Sequence, residues 1–77
     1  MGSKFQEFIG KCWTDHDGKS EEVALRLETN LSLLETPENI APYVWLVTHT
    51  MGGHLGQWDR GKDLLQKISQ LEIAQGD

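Results

Sequence analysis

Apolar residues in this chain recur at helical spacing almost from end to end, and that periodicity leaves little room for another architecture. Phe5, Phe8, Ile9, Cys12 and Trp13 form an i, i+3, i+4, i+7, i+8 series, one continuous stripe on a helix from Lys4 to about Asp15. The stretch Asp15-His16-Asp17-Gly18-Lys19 interrupts it, with Gly18 supplying the permissive backbone of a turn. Ser20, followed by Glu21 and Glu22, is the expected N-cap of a second helix to about Glu35, its acids meeting the positive end of the helix dipole. Val23, Ala24, Leu27, Leu31 and Leu34 line its inward face, and Leu25 and Leu33 lie off it.

Thr36-Pro37-Glu38 restarts the chain, with Thr36 as N-cap and Pro37 at the first helical position, where a missing N–H is harmless. The third helix, roughly Pro37 to His54, carries two apolar surfaces. Ile40, Tyr43, Val44, Val47 and Met51 make a bulky stripe, while Ala41, Trp45, Thr48 and Gly52 make a second face about 120° away. Two such faces predict neighbours on two sides. Gly52-Gly53 weakens the end of this helix and Gly56 ends it. A fourth helix from Gln57 or Trp58 to about Leu71 points Trp58, Gly61, Leu64, Leu65, Ile68 and Leu71 inward, and Ala74-Gln75-Gly76-Asp77 is expected to fray.

The prediction is therefore an all-α chain of four antiparallel helices arranged as two stacked helix-turn-helix hairpins, residues 4–35 and 37–72, in one domain spanning residues 1–77. With 77 residues, such a domain buries only roughly 60% of the surface its unfolded chain exposes, so either a partner surface or very regular packing is needed. A net charge of −5 offers nothing to phosphate backbones or anionic lipid, which argues against nucleic-acid and membrane partners. The single cysteine, Cys12, excludes an internal disulfide framework, and no apolar leader or bilayer-length segment is visible, so a reducing, cytoplasmic setting is expected. Met1-Gly2 fails as a myristoylation signal because Gln6 stands where Ser or Thr is wanted.

Trp45, Gly56, Trp58, Gly61, Leu65 and Ile68 carry a longer pattern. Their spacing resembles the tetratricopeptide repeat, a helix-turn-helix unit of roughly 34 residues, with Trp45 as the opening aromatic, Gly56 as the turn glycine and Gly61 as the small residue at the helix crossing. Thr48, His49 and Gly52 depart from the usual Leu, Gly and Tyr, and Ile73 stands where the closing proline falls. The first hairpin matches the second at an offset of 37, pairing Phe8 with Trp45, Ala24 with Gly61, Leu27 with Leu64, Leu31 with Ile68 and Leu34 with Leu71. The resemblance implies a right-handed array of about two repeats and a non-catalytic role in protein–protein interaction, in which first helices present a concave surface to a protein or peptide partner, or to a second copy. On this chain that surface is Tyr43, Leu46, Thr50, Gly53 and His54; the Lys and Asn of carboxylate-clamping members are replaced there by Leu46 and Thr50. The alternative is a small regulatory domain holding a small molecule between helices, near Trp45, His49 and Trp58.

Catalytic and metal-binding readings find little support, and no catalytic residue, metal site or cofactor is expected. His49 and His54 are five residues apart, which on an α-helix sets them about 140° from each other and rules out convergence. Cys12 and His16 have i, i+4 spacing but no visible further ligands, and Cys12 reads as a core residue. Asp15-His16-Asp17-Gly18 fails as a calcium loop, with Trp13 and Ala24 at the first and closing ligand positions. Asn30-Leu31-Ser32 matches a glycosylation sequon, but with Leu31 facing the core it is a chance match.

Overall fold

The computed structural model describes residues 4–74; the readings made for Met1-Gly2 and for the tail beyond Ala74 lie outside the described residues. Helix α1 spans Lys4–Asp15, α2 Ser20–Thr29, α3 Ile40–Val47 and α4 Trp58–Ser69. A π-helix, Thr48–His54, continues α3 without a break, and single 3₁₀ turns occupy Leu31–Leu33, Pro37–Asn39 and Glu72–Ala74. Among the described residues there is no strand, and no helix is long and apolar enough to cross a membrane.

Side chains explain where the elements end. The second helix stops at Thr29 rather than near Glu35, because the Thr29 hydroxyl donates to the Leu25 carbonyl at 2.8 Å and the Asn30 amide to the Arg26 carbonyl at 2.8 Å. These bonds satisfy carbonyls of the last turn and let the chain leave the helix. Ser20 is the first helical residue, not the cap. Its hydroxyl donates back to the His16 carbonyl at 2.6 Å, tying the start of α2 to the end of α1. Thr36 has the extended backbone of an N-cap but makes no side-chain cap bond, and Pro37 opens a 3₁₀ turn before α3 begins.

The core is organised around Tyr43. It is fully buried, its hydroxyl donates to the Leu27 carbonyl in the last turn of α2, and the rings of Phe5 and Phe8 stack on it at centroid distances of 6.5 and 6.1 Å. Burial pushes the phenol above its ordinary pKa, so the ring stays neutral and the hydroxyl remains a donor. Val23, Ala24, Leu27, Leu46, Val47, Met51, Leu64 and Ile68 complete the interior. Gly61 lies where α4 crosses the third helix: a Cβ there would sit 3.6 Å from the Cβ of Met51 and 4.0 Å from a methyl of Val47.

Two arginines tie the helices together outside the core. Arg60 of α4 grips Glu28 of α2 with two hydrogen bonds, Nε at 2.8 Å and Nη2 at 2.6 Å, and reaches Glu21 at 2.8 Å. Arg26 donates to Asp15 at 2.9 Å and so joins α2 to α1. Each guanidinium holds its partner carboxylate, Glu28 or Asp15, below the usual carboxylate pKa. The domain measures 36 × 33 × 16 Å, too thin in its shortest direction for three helix layers at the usual spacing of about 8–10 Å between axes. Every helix therefore keeps an outward side.

Candidate functional site

The π-helix is the local device that builds the site. The Leu55 N–H donates to the Thr50 carbonyl, five residues back, at 3.0 Å, and just past the element the chain turns at Gly56, φ +66°, so that the Gln57 N–H reaches back to the Met51 carbonyl at 2.7 Å. An i→i+5 ladder makes a wider turn than an α-helix, so residues five apart come to lie nearly over one another. Gly52 supplies the room for a second feature. A Cβ on Gly52 would fall 2.3 Å from the ring of Trp58, so the indole lies directly against the glycine backbone.

Because of that widening, His49 and His54 do not point apart as an α-helix would require; their ring centroids are 5.0 Å from each other. His16, in the turn after α1, faces both, at 5.1 Å from His49 and 5.0 Å from His54. The three rings form a nearly equilateral triangle, and one ring nitrogen from each lies within 4.8 Å of the others. The Nδ1 of His16 is 2.5 Å from the Trp13 carbonyl. Since a carbonyl only accepts, Nδ1–H is the donor of this bond, and Nε2 is the nitrogen left to bind elsewhere. Asp17 stands at the rim with Oδ1 3.7 Å from the His16 Nε2 and 3.5 Å from the His54 Nε2. Trp13 closes one side, its ring 5.1 Å from His16 and 5.5 Å from His49.

The outward side of the third helix is apolar. Trp45 is 67% exposed and Trp58 56% exposed. Ala41, Val44, Trp45, Thr48 and His49 line an open groove of about 490 Å³ along two turns of this helix, and a second hollow lined by Trp13, Ala41, Pro42 and Trp45 adjoins it.

This placement reverses the expected partner surface. Tyr43, Leu46 and Thr50 are fully buried, because α1 and α2 pack against that arc of the third helix; of the expected set, Gly53 and His54 alone are exposed. Thr50 pays for its position, since its hydroxyl is buried with no hydrogen-bond partner. Trp58, expected to point inward, lies against Gly52 and is more than half exposed. Cys12 is wholly buried, and burial pushes its thiol pKa up.

Compared with known proteins, the chain matches no family model, no curated protein and no solved structure. The reading of the site therefore rests on the residues themselves. The residues that sequence spacing passed over are Trp45 and Trp58 as surface groups and His16 as a neighbour of His49 and His54. The helix-weakening Gly52-Gly53 pair was a signal for a changed register between His49 and His54, and no local spacing pointed to His16.

Proposed function

We propose that this chain is a non-catalytic protein–protein interaction module of tetratricopeptide-like type, its two hairpins stacked as successive repeats, and that it docks through the outer face of the third helix. The observation that carries the proposal is the exposure of two indoles, Trp45 on the third helix and Trp58 against Gly52 of the same helix. The occupant that fits this surface is a second copy of the chain. A protruding Trp45 stands beside a groove open to one, so the same patch offers both knob and hole, as a two-fold interface requires. Pairing would also bring two repeats to four, past the roughly three that such arrays need for stability.

Magnitudes favour the same surface. Covering the exposed parts of both indoles is worth on the order of 5 kcal/mol per copy at about 25 cal/mol per Å². Against the low end of the roughly 4–15 kcal/mol cost of association, the sum for two copies leaves a surplus of about 6 kcal/mol, a dissociation constant of some tens of micromolar that dilution can cross. The non-catalytic part of the reading draws on Cys12, whose buried, protonated thiol is no nucleophile. The groove lies on the outside of one helix, which supports docking over an enclosed small-molecule pocket.

The test is molar mass by light scattering over a concentration series, for the native chain and for Trp45→Ser. A native dimer that dissociates on dilution, with a variant that stays monomeric at every concentration, is the expected result. A native chain monomeric throughout, or a dimer that Trp45→Ser leaves intact, would contradict the proposal.

A further inference from the structure

We propose that His16, His49 and His54, with Asp17 as fourth donor, form a binding site for a divalent transition metal of the zinc class. The site shares His49 with the docking groove, but the proposal does not rest on docking and stands on four features of the cluster.

The first is convergence. Nitrogens of three imidazoles from two distant parts of the chain lie within 4.8 Å of one another. Tetrahedral coordination at Zn–N distances of about 2.0–2.1 Å puts ligand nitrogens about 3.4 Å apart, so small ring rotations suffice to close the set. The second is tautomer control. The Trp13 carbonyl takes the Nδ1 proton of His16 and leaves Nε2 as the free donor atom, which is how metal-binding histidines are commonly oriented from behind.

The third is charge. The Asp17 carboxylate oxygen sits 3.7 Å from the Nε2 of His16 and 3.5 Å from the Nε2 of His54. A cation placed among them would be met by an anionic oxygen and imidazole nitrogens together. The fourth is rigidity. Trp13 packs on both His16 and His49, and the π-helix fixes the register of His49 and His54.

The donor set selects the metal. Three imidazoles and one carboxylate suit Zn²⁺, Co²⁺, Ni²⁺ or Cu²⁺, whereas Mg²⁺ and Ca²⁺ prefer oxygen throughout. Occupied by all four side chains, the site would be closed and structural, a clasp between the turn after α1 and the end of the third helix.

The experiment is calorimetric titration of the full chain with zinc chloride, paired with Co²⁺ titration followed by visible d–d absorption. The expected result is one equivalent bound, a tetrahedral Co²⁺ spectrum, and an affinity that falls at least tenfold in each of His16→Gln, His49→Ala and His54→Ala. Asp17→Asn should weaken binding less. His49 and His54 are exposed, so those two variants should keep native helicity, checked by circular dichroism. Absence of stoichiometric binding, or binding that either of these two folded variants leaves unchanged, would overturn the proposal.

Discussion

The imidazoles of His49 and His54 stand 5.0 Å apart, centroid to centroid, across five residues that an α-helix would turn about 140° from each other. The seven-residue π-helix resolves that mismatch, and the same widened turn leaves Gly52 open for the Trp58 ring to lie against. Each of these arrangements can be perturbed separately.

At Gly52, any side chain meets an indole. The Cβ of Gly52→Ala would fall 2.3 Å from Trp58, and since that ring is more than half exposed it can swing outward instead of unfolding the helix. The expected outcome is a red-shifted Trp58 emission, measured with Trp13 and Trp45 replaced by Phe, while helical content stays native. At Gly53 a Cβ meets nothing within 4 Å, so Gly53→Ala should leave the emission alone and raise stability by about 0.5–1 kcal/mol, read from the denaturant midpoint.

Thr50 holds a buried hydroxyl with no partner, so its removal should be free of penalty. Thr50→Val, close to isosteric, is predicted to be neutral or to stabilise by about 1 kcal/mol in urea unfolding. Tyr43→Phe should do the opposite. It strips the Leu27 carbonyl of its donor at the end of α2, and a loss of about 1 kcal/mol is expected from the same measurement.

Arg60 holds Glu28 with two hydrogen bonds, and the guanidinium depresses the carboxylate's pKa. The folded-state value lies below the unfolded one, so the contribution is fully present above the unfolded pKa, about 4.3, and is lost as pH falls through the folded value. Glu28→Gln should therefore lower stability by about 1 kcal/mol at pH 7, discounted for partial exposure, with the gap to the native chain narrowing on acidification below about pH 4. Thermal melts across a pH series check both the size and the direction.

The helical framework was legible because burial follows period. Val23, Ala24, Leu27, Val47, Met51, Leu64 and Ile68 sit at the positions a 3.6-residue repeat assigns to a core. The orientation of the third helix was not legible, since Tyr43, Leu46 and Thr50 on one arc and Ala41, Trp45 and Thr48 on another are both compatible with packing. What decides between them is the Tyr43 hydroxyl reaching the end of α2, a contact across 16 residues that no local pattern encodes. The histidine cluster escaped for two reasons. A single wider turn changes the angular register of His54, and His16 arrives from a separate part of the chain.

The measurement that goes most directly to the working surface is the concentration dependence of the amide and indole N–H resonances in a ¹⁵N-labelled chain. The account predicts shifts on dilution at Ala41, Trp45 and Thr48 and at the Trp45 and Trp58 indoles, with Tyr43, Leu46 and Thr50 moving least. Resonances that hold still at every concentration, or shifts that gather on another face of the domain, would contradict it.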